Sequence, residues 1–383
     1  MPNDSFLYRL TRHEAFGGIL LMTAALLAMA VANSPLLAAY DVFLEAKLAI
    51  TINGTGLTKP LILWINDGLM AVFFFLIALE LKREMREGKL KNPADVILPG
   101  MAALGGMVAP ALIFVVLNRA SPATLGGWAI PVATDIAFAL GVLALAGPRV
   151  PPSLKVFLLT LAILDDLGAI IIIALFYSHG LNLAYLAGAL VPLAGLLALN
   201  LRGSARLAPA LILGAVMWVL VLKSGIHATL AGVVTAFCIP LADHRGGSPL
   251  HRLEDALTPW VSFAIIPLFA FANAGVVLVG LSLADLAAPL PLGTALGLLL
   301  GKIVGVFGVS WAMVRLGLAG MPEGATWRQV FGVACLAGIG FTMSLFIGGL
   351  SFDDQDLMNQ VRLGVLAGSG CAGLLGWAVL RFG

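Results

Sequence analysis

The sequence predicts an all-α polytopic membrane protein with about twelve transmembrane helices. Of its 383 residues, 60% are hydrophobic and only 11% are charged, and the mean hydropathy is +1.03. A soluble domain carries about 25% charged residues, so a soluble class is excluded. The formal net charge of +2 is too small to indicate a nucleic-acid partner. The three cysteines have neither metal-like spacing nor the even count of a disulfide framework.

Twelve apolar segments account for most of the chain. Most of them are long enough to cross ~30 Å of hydrocarbon. The seventh and eighth segments are short and separated only by residues 223–225. We therefore predict a single transmembrane domain over residues 1–383, with spans near 15–35, 61–81, 95–117, 123–146, 152–178, 182–200, 207–222, 226–241, 259–280, 290–314, 328–350 and 357–380.

The distribution of basic residues predicts the orientation of these spans. An even number of spans puts both termini on one side, and most Lys and Arg residues fall on that side. The segment after the second span alone contributes Lys82, Arg83, Arg86, Lys89 and Lys91. Cytoplasmic loops carry the excess of Lys and Arg, so both termini are predicted to be cytoplasmic. The few basic residues left on the other side are Lys47, Lys59, Arg119, Lys223 and Arg362.

The external segment 45–58 predicts a β-hairpin. Residues 49–58, AITINGTGLT, alternate apolar and polar side chains about the pair Asn53-Gly54, which is a strong hairpin signal. A disordered loop is the alternative. An isolated two-stranded ribbon is only marginally stable, so a hairpin here predicts a homodimer formed through residues 45–58.

Five ionisable residues lie deep inside predicted spans: Asp67, Asp135, Asp165, Asp166 and Lys302. An intramembrane charge normally has a partner or lines a water-filled path, and it marks function by default. Asp67 stands alone in LWINDGLM. For this residue, an ion pair that locks helices together is the favoured interpretation.

The adjacent pair Asp165 and Asp166 is harder to explain as structural. Neighbouring residues point ~100° apart on a helix, so one partner cannot readily satisfy both carboxylates. Two crowded carboxylates also resist ionising together. Such a pair can hold protons and release them when a cation arrives. Hard cations such as Na⁺ and Li⁺ prefer oxygen ligands of this kind.

Two spans carry signals for a broken helix. Pro131 interrupts AIPVATDIAFALG just before Thr134 and Asp135, and Gly338 and Gly340 weaken LAGIGFTMS. Ordinary kinked helices are an equal alternative. These spans are seven apart in order, as are the Gly-rich third and tenth spans, and this spacing hints at an inverted repeat. Asp135 and Lys302 are both suited to compensate the partial charges of half-helix ends.

Lys302 requires a carboxylate partner. It lies in LLLGKIVGVFG and has no charged neighbour in sequence between Leu286 and Val314. A buried lysine tends to lose its proton unless a carboxylate is close. Asp165 is the natural candidate, and Asp166 or Asp135 satisfies the same argument.

The segments ATDIAFALGVLAL, LAILDDLGAI, LFAFANAGV and GIGFTMSLFI, together with Lys302, resemble the NhaA-type Na⁺/H⁺ antiporters of bacterial inner membranes. The resemblance extends from about residue 14 to residue 381. It implies an inverted-topology repeat with two unwound, crossing helices. It also implies that Asp165 and Asp166 bind Na⁺ and protons, and that Lys302 pairs with Asp165 when sodium is absent.

The same resemblance assigns roles to further residues. Thr134 and Asp135 are expected at the crossing of the unwound helices, opposite the break that holds Gly338, Gly340 and Phe341. A pH-responsive region at a cytoplasmic funnel is expected to contain Glu80, Lys82, Arg83, Glu84, Glu254 and His227. From the sequence without the resemblance, these six are ordinary solvated helix-end charges and a polar helix contact.

The predicted function is electrogenic, pH-regulated export of cytoplasmic Na⁺ and Li⁺ in exchange for external protons, with two protons per sodium. The expected location is a bacterial inner membrane, with no cofactor beyond the transported ions and no enzymatic activity. An intramembrane aspartyl protease is one rival, but the usual Gly-x-Gly-Asp context is absent. A proton-coupled antiporter for an organic solute is the other, and it requires a larger polar or aromatic pocket.

Overall fold

The structure, a computed structural model, describes residues 14–52, 55–147, 149–178, 180–243, 246–280 and 282–382. One-turn helices lie at Pro122–Leu125 and Leu283–Leu286, and 3₁₀ turns at Lys89–Lys91 and Gly126–Ala129. The longer elements are α1 Glu14–Ala32, α2 Leu37–Glu45, β1 Lys47–Ile52, β2 Thr55–Pro60, α3 Leu61–Arg86, α4 Pro93–Asn118, α5 Ile136–Ala146, α6 Pro152–Phe176, α7 Leu183–Leu201, α8 Leu207–Ser224, α9 Thr229–Cys238, α10 Pro249–Asn273, α11 Pro289–Arg315, α12 Trp327–Leu336, α13 Phe341–Ser351 and α14 Gln355–Phe382.

The helices are those of a multi-pass membrane protein. Within the described residues, eight helices are long and apolar enough to cross a membrane, and up to ten spans result if each of two bent helix pairs counts as one. Helices α5, with 11 residues, and α9, with 10 residues, are shorter than a full span. They correspond to the predicted spans 123–146 and 226–241. A total of twelve spans stays a prediction.

The chain forms two compact units, and the first contains the described parts of residues 1–33, 92–169 and 273–383. Its helices approach one another closely at glycines. A Cβ added to Gly18 on α1 would lie 2.8 Å from the Cα of Gly141 on α5. On α4 and α11, a Cβ at Gly105 would clash with the carbonyl oxygen of Gly305. Small residues at contacts of this kind allow membrane helices to pack backbone against backbone.

The second unit contains the described parts of residues 34–91 and 170–272. Helix α3 packs along α9, and α7 packs along α8. The contact between α3 and α9 also depends on a glycine, since a Cβ at Gly232 would clash with the carbonyl oxygen of Ala71. The expectation of a single transmembrane domain stays a prediction.

The predicted hairpin is present in the second unit. Strands β1 and β2 pair antiparallel in a register that joins Lys47 to Pro60 and Ile52 to Thr55. The ribbon therefore extends to residue 60, two residues beyond the predicted segment 45–58. Asn53 and Gly54, the predicted turn, lie outside the described residues. The indole of Trp64 on α3 donates to the carbonyl oxygen of Leu48 at 3.1 Å and ties the ribbon to the helix.

Candidate functional site

Two interruptions of helical structure lie in the first unit. No regular helix covers residues 130–135, which precede α5, or residues 337–340, which separate α12 from α13. Helices α12 and α13 are bent by 41° at their break. A Cβ at Gly338 would clash with the carbonyl oxygen of Leu298, and one at Gly340 would lie 2.9 Å from that of Ala133. Only glycine allows the backbone to pass this closely.

Asp135 binds the N-terminal ends of both half-helices. Its Oδ1 accepts from the amide of Phe138 on α5 at 2.9 Å, and its Oδ2 accepts from the amide of Thr342 on α13 at 3.1 Å. The Thr342 hydroxyl donates to the same Oδ2 at 2.5 Å. The amide of Asp135 donates to the carbonyl oxygen of Ile339 at 2.6 Å. A carboxylate in this position satisfies amides that have no partner within the helix and offsets the partial positive charge at each N-terminus.

Hydroxyl groups satisfy free carbonyl oxygens at the same interruptions. Thr134 Oγ1 lies 2.8 Å from the carbonyl oxygen of Ala337, and Ser344 Oγ lies 2.7 Å from that of Ile130. Thr134 Oγ1 is also 2.7 Å from Asp165 Oδ2. A hydroxyl has one hydrogen to donate. Thr134 therefore donates either to the backbone of the break or to the carboxylate.

Lys302 pairs with Asp165. Its Nζ lies 2.6 Å from Asp165 Oδ2 and 3.1 Å from Thr134 Oγ1. Both side chains of the ion pair have 0% exposure. Lys302 lies on α11 between two π-helical stretches, Gly297–Gly301 and Ile303–Gly308. Such wide turns are frequent at functional sites of helices.

Asp166 follows Asp165 on α6. Its side chain is also buried, with 1% exposure. The ~100° step between neighbouring helical residues directs the two carboxylates to different sides of α6. Among the described residues of the first unit, the four charged side chains of Asp135, Asp165, Asp166 and Lys302 are thus buried at or near the helix interruptions, and contacts of 3.1 Å or less link Asp165, Thr134 and Lys302.

Asp67 lies in the second unit and has a partner there. Its Oδ2 is 2.7 Å from Lys59 Nζ at the end of β2, and the Trp218 indole donates to its backbone carbonyl oxygen at 3.2 Å. The Asp67 side chain is 16% exposed. It lies in the π-helical stretch Trp64–Leu69 of α3.

Four of the residues expected to respond to pH form a cluster in the second unit. Arg83 Nε donates to both carboxylate oxygens of Glu254, at 2.9 and 3.0 Å, and its NH1 donates to Glu84 at 2.7 Å. Glu80 lies one turn before Glu84 on α3 and is half-buried. The cluster joins α3 to α10.

Lys82 and His227 belong to the same unit but have different surroundings. Lys82 Nζ donates to the carbonyl oxygens of Phe237, at 2.8 Å, and of Ile239. It therefore caps the C-terminal end of α9, where a cation is favoured. His227 is half-buried in the turn between α8 and α9.

Sequence analysis did not identify three hydroxyl residues that contact the interruptions: Thr342, Ser344 and Ser369. Ser369 Oγ on α14 accepts from the amides of Gly340 and Phe341, each at 3.2 Å. Thr342 and Ser344 lie within GFTMS, directly after the two glycines of the break, and this position is the signal that identifies them. Ser369 lies in a Gly-rich segment, and no local pattern indicates that it contacts the break.

Known proteins match this sequence over nearly its whole length. The family model described as Na⁺/H⁺ antiporter 1 matches residues 8–380. The Na(+)/H(+) antiporter NhaA of Pseudomonas fluorescens strain Pf-5 is 55% identical over 382 residues, which cover 99% of this chain and 97% of the relative. The protein of the same name from Rhodospirillum rubrum is 56% identical over 380 residues, 97% of this chain and 95% of the relative. The Actinobacillus pleuropneumoniae protein of that name is 54% identical over 372 residues, 96% and 94% of the two chains. The chain therefore belongs to the Na⁺/H⁺ antiporter 1 family.

Proposed function

We propose that this chain is a secondary active transporter that exports cytoplasmic Na⁺, and also Li⁺, in exchange for external protons. The observation that carries the proposal is the buried group Asp165, Lys302 and Thr134, next to Asp166 and between two interrupted helices. It combines titratable carboxylates with hydroxyl and carbonyl oxygens, the ligands that Na⁺ and Li⁺ prefer. The family and the names of its relatives support the same reaction.

In the proposed cycle, protons and Na⁺ compete for the same oxygens. Asp165 and Asp166 are protonated from outside and release their protons at cytoplasmic pH, and Na⁺ then takes their place. Lys302 holds Asp165 in an ion pair while the carboxyl group is ionised and no Na⁺ is bound, which prevents an unpaired charge from being buried. The ion pair also fits poorly with an aspartyl protease, whose two carboxylates must share a proton around a water molecule.

The exchange is proposed to move charge. Two protonated carboxyl groups are neutral together, whereas two carboxylates with one bound Na⁺ leave a charge of −1. Whether Asp165 or Lys302 carries the second proton, two protons enter for each Na⁺ that leaves. An inside-negative potential then drives export by ~2.3 kcal/mol per charge per 100 mV.

The architecture proposed for this reaction is a twelve-span inverted repeat with both termini in the cytoplasm of a bacterial cell, in its inner membrane. The interrupted backbones at 130–135 and 337–340 support the crossing of two unwound helices. The strand pairing at residues 47–60 supports a homodimer formed through the ribbon, since an isolated two-stranded ribbon is marginal. The cluster of Glu80, Arg83, Glu84 and Glu254, with Lys82 and His227, is proposed to adjust exchange to pH.

Proteoliposomes test the central claim. With no pH gradient, a valinomycin-set inside-negative potential is expected to accelerate Na⁺ efflux through the unmodified protein. Asp165→Asn, if it retains exchange, is expected to lose this acceleration. Efflux from the unmodified protein that is indifferent to the potential would rule out two protons per Na⁺. Absence of any Na⁺-dependent proton movement would rule out the antiport itself.

A further inference from the structure

The N-terminal end of α13 receives its hydrogen-bond acceptors from other helices. The first amides of a helix have no partner within it, and a side chain at the N-cap normally supplies one. The N-cap residue of α13 is Gly340, which has no side chain to do so. Three consecutive amides are satisfied from outside: those of Gly340 and Phe341 by Ser369 Oγ, and that of Thr342 by Asp135.

Ser369 is held firmly in position for this contact. Its side chain is 5% exposed. The helix that carries it, α14, touches α11 so closely that a Cβ at Gly368 would lie 2.8 Å from the Cα of Ala295. A turn further along α14, a Cβ at Gly373 would lie 3.4 Å from the side chain of Ile339, inside the break. The hydroxyl oxygen therefore faces the break from a helix with little freedom to shift.

A short chain of contacts connects Ser369 to the ion pair. Ser369 binds the last residue of the break, Gly340, and the first residue of α13. At the other end of the break, the carbonyl oxygen of Ala337 lies 2.8 Å from Thr134 Oγ1, which is also 2.7 Å from Asp165 Oδ2. The position of the four-residue break thus determines where the Thr134 hydroxyl lies relative to the carboxylate.

We infer that Ser369 is a positioning residue for Na⁺ binding. It caps the interrupted helix from a neighbouring helix, fixes the backbone of residues 337–340, and so places Thr134 against Asp165. It touches neither the ion nor the protons. The inference rests on the proposed function, because its readout is the apparent affinity for Na⁺.

The experiment compares three variants in proteoliposomes, each assayed for Na⁺ efflux over a range of Na⁺ concentrations. Ser369→Ala is expected to raise the apparent KM for Na⁺ about three- to tenfold, the size expected when a neutral hydrogen-bond acceptor is removed. Its maximal rate should change by less than about twofold, because the titrating groups are intact. Ser369→Thr keeps the hydroxyl and is expected to restore most of the affinity.

Ser310→Ala is the matched control. Ser310 lies in the same unit on α11 with 1% exposure, and its hydroxyl has no hydrogen-bond partner within the described residues. Its removal is expected to leave both KM and the maximal rate unchanged. If Ser369→Ala does not fold, Ser369→Cys, with a thiol that accepts hydrogen bonds only weakly, is expected to show the raised KM.

The possible outcomes distinguish the inference about Ser369 from the proposed antiport function. An unchanged KM in a folded Ser369→Ala protein, with only its melting temperature lowered, would show a merely structural role and overturn the inference. A raised KM that Ser369→Thr leaves uncorrected would also overturn it. Both results require the unmodified protein to exchange Na⁺ for protons, whereas failure of that exchange contradicts the proposed function instead.

Discussion

Two groups of charged side chains, one in each unit, each pair a basic with an acidic residue but lie in different environments. In the first unit, the side chains of Asp165 and Lys302 form an ion pair with 0% exposure. In the second unit, Arg83 is 30% exposed while it pairs with Glu254, which is 13% exposed. The buried pair has one contact between charges, whereas Arg83 has two acidic partners.

This difference in exposure decides what each group contributes. A charge without a partner in a low-dielectric interior is strongly unfavourable, so removing one member of a buried pair costs ~3–5 kcal/mol. An ion pair that water can reach contributes ~0–1 kcal/mol, because solvent compensates either charge alone. The buried group is thus suited to exchanging one cation for another. Loss of one charge from the partly exposed pair of Arg83 and Glu254 should cost little by comparison.

The largest expected effect is the loss of exchange in Asp166→Asn. A neutral amide cannot exchange a proton for a cation, and Asp166 is one of the two proposed ligands. Exchange by the variant is measured as the Na⁺-dependent collapse of a pH gradient in proteoliposomes. Asp353→Asn, a change to an exposed carboxyl, is the control and should retain full activity. Substantial flux in a folded Asp166→Asn protein would contradict the proposed site.

Lys302→Met tests the comparison between the buried and the partly exposed ion pairs through the free energy of unfolding. It leaves Asp165 buried without its cation and should destabilise the protein by ~3–5 kcal/mol. Lys59→Met breaks the pair with Asp67, whose side chains are 26% and 16% exposed, and should cost ~1 kcal/mol or less. Melting temperatures in one detergent compare the two. Adding Asp165→Asn to Lys302→Met should recover part of the loss, and additive losses would argue against direct coupling.

Asp135→Ala tests a buried carboxylate whose partners are dipoles instead of a cation. It removes the acceptor of amides on α5 and α13, and each buried donor left unsatisfied costs ~1–3 kcal/mol. Asn182→Ala removes an ordinary exposed N-cap of α7 and should cost ~0.5–2 kcal/mol. Thermal unfolding measures both. Equal losses would mean that Asp135 is no more than an ordinary cap.

The smallest effect on stability is expected from the ion pair of Arg83 and Glu254. A double-mutant cycle with Arg83→Gln and Glu254→Gln should give a coupling energy below ~1 kcal/mol that decreases with added salt. The cycle for Lys302 and Asp165 should give a larger coupling that an added salt without Na⁺ or Li⁺ leaves unchanged, since both side chains have 0% exposure. Unfolding of the variants at low and high ionic strength provides both values. Similar salt dependence in the two cycles would remove the distinction between the groups.

Local chemistry made much of the fold predictable. Pro131, Gly338 and Gly340 break helices by their own covalent structure, and the backbone is interrupted at these residues. The alternation of residues 49–58 likewise indicated the two strands of the ribbon. Span lengths were less predictable. The apolar segment 123–146 reads as one span, yet its continuous α-helix occupies only Ile136–Ala146.

What the sequence determined by itself was the set of charged residues that must find partners within the membrane. Hydropathy placed Lys302 and the aspartates in apolar segments, and the cost of burying an isolated charge required a compensating group for each. Asp165 was the natural candidate for Lys302, and Asp166 or Asp135 satisfied the same argument. The tertiary structure excluded the alternatives: Lys302 pairs with Asp165, 137 positions away in the chain, and Asp135 accepts from the amides at two helix ends. The same holds for Ser369, whose contact with the break arises from the packing of α14. Which side chains pair depends on distances of a few ångströms between segments that are far apart in the sequence. The packing of the helices sets those distances, and the local sequence pattern does not.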